Sequence, residues 1–564
     1  MTESNYWRRL THRRLVRRSF LRSGGIAAFG LGAAAVAGCG GSKTTANNTN
    51  SSPGGTAVSK TTGGSSAAQP VMGGILNGRM QTDPATLDIH QASTYSAVWP
   101  EAPAYNQLVQ FDPQDPDNKV IPDLADSYEI ANDGLSITFK LHPGVKFHDG
   151  SDFTSEDVKA NVDWIKNPPA KKASPRQGVF DPVIRVETPD PLTAKMVLQR
   201  PYPSLIVNLA TDYLAMGAKA DLAQGDLGQK MNGTGPFKLK SYTRGVGTEM
   251  ERNPNYFVQG RPYLDGVKYS IVPDENTAFT SFLGGQFQRF YPVLPENVDR
   301  VAKETGGKAK DVSLPSTLRD NLFFNGTKKP YDDIRVRQAI SMVIDRMAGI
   351  QVVQHGFGAV GGYMVPGGQW AISTDQLKKV PGYDKPDLAE AKKLLAAAGV
   401  TDPLSGSILT RTDQLFRDCA TFVQGTLQKA FGWNFTIDAK DSAAGYDAAY
   451  ASRFDLLAWT VATTIDDPDA TFAEVAITKA VRNWSKVYDT EADAIYNKQS
   501  QTLDTAQRKQ LVQQLETKFL NDFQVLSIYF QKPNHAIYNT IQNYKLAQSL
   551  YVNQRYQDLW LSKA

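Results

Sequence analysis

The stretch SITFKLHPGVKFHDGSDFTSEDVKANVDWI, Ser136 to Ile165, changes its apolar period partway along, and this change constrains the fold more than any other feature of the chain. Ile137, Phe139 and Leu141 alternate with polar residues, which is the period of a half-buried strand. Turn residues then interrupt the strand. Thr154, followed three residues on by Asp157, forms a capping-box pattern that opens an amphipathic helix. The same mixture recurs along the chain. ILNGRM (75–80) reads as an opening strand. IRVRQAISMVI (334–344) places Val336, Ile340, Val343 and Ile344 on one helical face. DLAEAKKLLAAAG has Asp387 as N-cap, Glu390 at N3 and Gly399 as its stop. Without heptads or repeats, this predicts an α/β or α+β chain of mixed layers.

The first 70 residues follow different rules. VRRSFLR (16–22) precedes the uncharged run SGGIAAFGLGAAAVAG and then Cys39, the order of an export signal, and the run is too short to span a bilayer. The paired arginines resemble a twin-arginine signal, with Val16 where Ser or Thr is usual. VAGC (36–39) resembles a lipobox, which makes Cys39 the expected lipidation site. Residues 40–70, rich in Gly, Ser, Thr and Asn, have too few large apolar side chains to offset their chain entropy and read as a tether. A lipid on Cys39 would hold the following domain at the extracytoplasmic face of the membrane.

Charge and cysteine content narrow the function. The signal carries seven Arg against one Glu; removing that net +6 from the chain's +4 leaves −2, which argues against a nucleic-acid partner. Cys419 is the only other cysteine, so stability must come from a large core rather than a disulfide. No phosphate-binding loop, nucleophile elbow, H-E-x-x-H or C-x-x-C pattern is present. His142 and His148 read as turn residues around a strand. The sequence therefore predicts no catalytic constellation, metal or cofactor.

The chain carries 8 Trp, 23 Tyr and 25 Phe, and several of them lie in polar company. Tyr95 and Trp99, Tyr105 and Asn106, Trp370, Trp459, and Arg482 with Trp484 are candidates for the aromatic wall and convergent hydrogen-bonding groups of an organic-ligand pocket. TTIDDPDATF (463–472) adds Asp466, Asp467 and Asp469, which could hold a cationic ligand, run acid/base chemistry, bind metal or cap a turn. A secreted hydrolase using Asp467 and Asp469 is the enzyme alternative, although two acids on one short loop do not flank a bond from opposite sides.

Several segments together resemble the family 5 extracytoplasmic solute-binding proteins, the dipeptide/oligopeptide-binding type that serves ABC importers. They are DPATLDIH (83–90), YNQLVQFDP (105–113), residues 120–158 nearly position for position, GTGPFKLKSYTRGVGTEMERNPNYF (233–257), VRQAISMVIDR (336–346) and LLAAAG (394–399). The resemblance implies a two-lobed, class II periplasmic-binding-protein-like fold with three subdomains, mixed sheets and a hinge cleft. Its implied divisions are 71–115 and 233–320 in lobe I, 116–232 as subdomain II, 321–535 as lobe III, and 536–564 as a return to lobe I. The strands crossing between lobes are expected near 317–325 and 529–536. The implied function is capture of a small solute, peptide first and then oligosaccharide or an opine-like compound, by a monomer that hands it to an ABC permease and ATPase. Transfer to a signalling partner instead is equally open. The resemblance implies that peptide-binding members often hold the ligand's α-amino group with an aspartate a few residues after a tryptophan, just before an Asp-Pro-like turn; here the tryptophan is Trp459 and the turn Asp467-Pro468-Asp469. Three residues after Trp459 is Ala462 and three before Asp467 is Thr464, neither an acid, so Thr463 and Thr464 become the informative positions, and a longer loop would bring Asp466 into the role.

Overall fold

The computed structural model describes residues 69–563 apart from 116–118, 171, 173, 226, 228–230 and 481; the export signal, Cys39 and nearly all of the tether lie outside the described residues. The elements read most directly from sequence are present. Ser136–Leu141 is a strand, and Ser155–Lys166 is a helix whose Thr154 and Asp157 form a capping box. Asp387 caps Leu388–Ala397 by accepting the Glu390 N–H. His142 and His148 both lie beside turns, and the His148 ring contacts the carbonyls of Met231 and Gly235.

Two large sheets define the two lobes. The first has seven strands in the order Ala309–Ser313, Asn534–Tyr538, Arg289–Val293, Ile75–Met80, Gly266–Ile271, Gly247–Arg252 and Phe237–Thr243. Its Ile75–Met80 and Gly266–Ile271 pair in parallel, from Ile75 with Gly266 to Met80 with Ile271. Much of the chain between them forms a separate four-stranded antiparallel sheet containing Ser136–Leu141. The second large sheet has six strands, with Leu318–Phe324 between Val525–Gln531 and Leu456–Ala462. All seven residues of Val525–Gln531 are buried, as expected of a strand covered on both faces. The chain leaves the first sheet through residues 314–317 and returns through 532–533. The two connections are tied where Ser316 donates from both N–H and Oγ to Gln531 O, at 3.2 and 3.1 Å.

The apolar cores follow this division. The second lobe's core draws only on residues between Leu322 and Tyr529. Within that span, Ile465 alone is buried in the core of the first lobe instead. The C-terminal segment runs back across the first lobe, where Trp99 Nε1 donates to Leu550 O at 2.8 Å and Arg555 pairs with Asp123 at 2.5 Å. The GTGPF segment explains its own glycines. A Cβ at Gly235 would lie 2.4 Å from Tyr105 N, and one at Gly233 only 2.0 Å from Ala104 O, so this close backbone approach admits no side chain. Among the described residues no helix is long and apolar enough to cross a membrane.

Candidate functional site

TTIDDPDATF leaves the second-lobe strand Leu456–Ala462 and docks on the first lobe. Thr463 O accepts from Thr317 Oγ at 2.7 Å, and Thr464 O accepts from Ser549 Oγ at 2.6 Å. Ile465 enters the first-lobe core, and Asp467 then caps the helix Pro468–Val475 by accepting the Asp469 N–H at 2.9 Å. Proline at the first helical position costs no hydrogen bond, because that N–H has no intrahelical partner.

Asp467 and Asp469 are only 1% and 4% exposed, and their oxygens are taken up by protein groups. Ser204 Oγ, from the first lobe, lies 2.7 Å from Asp467 Oδ1 and 2.8 Å from Asp469 Oδ2. Arg508 reaches Asp467 at 3.3 Å and Asp469 at 3.8 Å while donating to Ser204 Oγ at 2.8 Å. Gln499 and Ser500 complete the shell around Asp469. One guanidinium faces two carboxylates. Burial, and then the Asp467 charge, raise the Asp469 carboxyl above its ordinary range. The hydrolase alternative fails on this geometry, since neither acid is open to a substrate. The pair is a clasp between lobes. Trp370, another candidate, is buried beneath the same arginine, whose guanidinium carbon sits 4.9 Å from its ring centroid.

Asp466 differs from its neighbours. It lines a cavity of about 340 Å³ bounded by Phe111 and Val207 of the first lobe, Gly367 and Gly368 of the second, and Ser549. Its Oδ1 is enclosed but has no hydrogen-bond partner. Burial pushes its carboxyl up to about 7, aided by Asp467 and Glu516 and opposed by a hydrogen bond from the Val365 backbone. The cavity wall passes close by, since a Cβ on Gly368 would fall 2.5 Å from Asp466 Oδ2.

The aromatic candidates divide into three groups. Tyr105 and Asn106 are fully buried within the first lobe, and Asn106 bonds Asp123 at 2.8 Å and Tyr256 at 3.2 Å. Tyr95 and Trp99 form a first-lobe aromatic cluster with Tyr291, at centroid distances of 5.1–5.5 Å. Trp459 and Trp484 pack 5.7 Å apart in the second lobe, with Tyr446 against both and Arg482 over Tyr446 and Trp484.

Tyr551 connects the two sides. Its ring lies 5.1 Å from that of Tyr213, on which Arg176 stacks at 3.8 Å. Burial raises the Tyr551 hydroxyl, opposed by Arg176 from the first lobe and Arg482 from the second, with Tyr446 adding to the rise. Tyr551, Arg176 and Arg482 are each half-buried. Tyr551, Tyr213, Tyr446 and Arg176 were not flagged by sequence reasoning. Tyr551, in SLYVNQRY, keeps the same polar company as the aromatics that were flagged, whereas Arg176 carries no local signal. Among the described residues no group of three or more His, Cys, Asp or Glu could hold a metal ion.

Two outcomes test this geometry. Ser204→Ala should cost about 1–3 kcal/mol in urea unfolding, and Arg508→Met, which leaves two buried acids without their cation, about 3–5 kcal/mol. A Ser204→Ala protein as stable as the parent would contradict the clasp. For Asp466, the folded state binds a proton that the unfolded chain lacks between about pH 4 and pH 7, so stability falls as pH rises through that window. Asp466→Asn should therefore match the parent near pH 4 and exceed it near pH 8, by on the order of 1–3 kcal/mol. Parallel stability curves would show that folding leaves the Asp466 carboxyl unshifted.

Residues 119–481 match the family model described as bacterial extracellular solute-binding proteins, family 5 Middle. The glutathione-binding protein GsiB of Pectobacterium atrosepticum is 36% identical over 288 residues, covering 50% of this chain and 54% of that protein. GsiB of Escherichia coli K12 is 30% identical over 290 residues, again 50% and 54%. The chain thus spans about half the length of the curated relatives it matches. Among solved structures, the PBP AgaA from A. tumefaciens R10, in complex with agropinic acid, superposes with a TM-score of 0.74 at 25% identity, covering 87% of this chain and 99% of that one. The periplasmic binding protein DppA of Helicobacter pylori, in complex with peptide STSA, gives a TM-score of 0.74 at 21% identity over the same shares. The family match covers well over half of the sequence, and the two-lobed fold is that of periplasmic binding proteins: the chain belongs to the family 5 bacterial extracellular solute-binding proteins.

Proposed function

We propose that this protein captures a small organic solute, a peptide or peptide-like compound, between its lobes and delivers it to an ABC permease and ATPase complex. The observation that carries this reading is Tyr551, which packs on Tyr213 of the first lobe while Arg482 and Tyr446 of the second act on its hydroxyl. A solute held there touches both lobes at once. It binds the closed arrangement better than an open one and shifts the population toward closure. Residues 314–317 and 532–533 are the connections about which such a motion would turn. Aromatic faces provide area at low entropic cost, and the few polar groups fix orientation. No bond needs to be made or broken, so the reading is of a receptor and not an enzyme.

A peptide or related amino compound is favoured over a neutral sugar by the charged groups at the lobe boundary. Asp466 has an unspent oxygen that a ligand ammonium could meet, a role that Asp467 cannot take because its oxygens serve the clasp. The names of the GsiB relatives point to glutathione, and AgaA was solved with agropinic acid, so an opine-like conjugate belongs to the same range. Lipidation of Cys39 would keep the receptor at the extracytoplasmic face beside its permease.

A thermal-shift panel tests the reading. Glutathione, di- to pentapeptides and oligosaccharides are added to the purified mature chain, and a ligand at about a hundred times its Kd should stabilise by about 2.7 kcal/mol. At least one peptide or peptide-like member should raise the melting temperature by several degrees. A response to oligosaccharides alone would overturn the ligand class, and no response from any member would count against capture.

A further inference from the structure

Building on the reading of a receptor whose lobes close on a solute, we propose that Asp466 is a brake on closure of the empty receptor: while it is ionised, the closed lobes enclose a carboxylate that lacks a partner, and a proton on that carboxylate releases the brake.

The brake lies where the lobes meet. The cavity of about 340 Å³ takes Phe111, Val207 and Val552 from the first lobe and Gly367 and Gly368 from the second, and Asp466 is the one ionisable residue on its wall. Asp466 as a whole is half-buried, but its Oδ1 is enclosed and accepts no hydrogen bond. The Val365 backbone N–H donates to the carboxylate. The cation of this segment, Arg508, is engaged with Asp467 and Asp469, and among the described residues Asp466 forms no ion pair. An enclosed carboxylate oxygen without a donor is costly for as long as the group stays charged.

The charged groups that face Asp466 add to that cost. Asp467 follows it in the chain, and Glu516, on the helix Thr505–Asp522, is close enough to act on it. Backbone N–H groups of Tyr363, Met364 and Ile372 bond the Glu516 carboxylate at 2.7, 2.9 and 2.9 Å and favour its charged form. The first-lobe wall brings no charge of either sign. Burial first, then these two acids, push the Asp466 carboxyl up to about 7 against the Val365 bond, whereas an aspartate in water titrates at about 4.

Parting the lobes withdraws the first-lobe half of the wall and returns Oδ1 to water, so the open form is the more acidic. Closure therefore takes up a proton between about pH 4 and pH 7. It is most favoured below that window, weakens as pH rises through it and is level above it. At neutral pH the empty receptor is held toward the open form. A solute that donates a hydrogen bond into the cavity relieves the same cost as the proton, so closure follows occupancy.

Small-angle X-ray scattering of the solute-free mature chain at pH 5 and pH 8 tests this, with Asp466→Asn and Asp466→Ala beside the parent. The closed-to-open ratio of the parent should rise by about ten-fold or more from pH 8 to pH 5, read as a fall in radius of gyration. Both variants should be as contracted at pH 8 as at pH 5, and either serves if the other misfolds; a merely structural role for Asp466 would leave the pH dependence in place. A parent profile that ignores pH, or variants that keep the parent's pH dependence, overturns the brake. Glutathione and di- to pentapeptides are then added at pH 8. Contraction with any of them leaves capture standing where the brake has failed, and a profile that neither acid nor any of these solutes changes overturns both.

Discussion

The buried contact of Ser204 with Asp467, Asp469 and Arg508 is the interaction on which the rest of the arrangement depends. Two carboxylates and one guanidinium share a site from which water is excluded, and a hydroxyl from the opposite lobe bonds all three. An ion pair so placed contributes little net stability compared with apolar packing, but removing one member leaves an uncompensated charge. Such a site therefore acts mainly to specify one arrangement. Here the arrangement is the apposition of two lobes, with Ile465 seated in the first-lobe core beside it. Both contacts come from the segment that also contributes Asp466 to the cavity wall, so lobe apposition and the geometry of the cleft cannot vary independently.

The architecture makes this coupling useful. Each lobe has its own large sheet and core, and the two are joined by two short, mutually bonded connections. The two cores are separate clusters, so the balance between apart and together should be set by a few kcal/mol, within reach of a small solute. A solute that touched both lobes, as proposed, would add to the contacts that the clasp makes between them. The protein can then report occupancy through its shape, which is what a membrane partner can read.

Local chemistry was legible in the sequence, and long-range pairing was not. The strand at 136–141 and the capping box at Thr154 depend on residues a few positions apart, and pattern alone located them. The resemblance of residues 120–158 and their companions carried the two-lobed fold. The site was harder to read, because Ser204 meets Asp467 across 263 positions and Tyr213 meets Tyr551 across more than 300. No periodicity encodes such meetings. Asp467 carries the residue type of a ligand contact, but its oxygens go to a cap and a clasp. Arg176, between Pro175 and Gln177 in ASPRQG, carries no local signal of its place over the Tyr213 ring. Aromatic residues in polar company single out Trp459 and Trp484 but not Tyr446, which packs against both.

The central claim is that solute and lobe apposition stabilise each other. Small-angle X-ray scattering of the mature chain, with and without a solute shown to bind it, tests this most directly. The account predicts a smaller radius of gyration on saturation, together with a scattering profile matching the closed two-lobed structure. An identical profile in the free protein and in the protein saturated with a bound solute, with the free protein already closed, would contradict it.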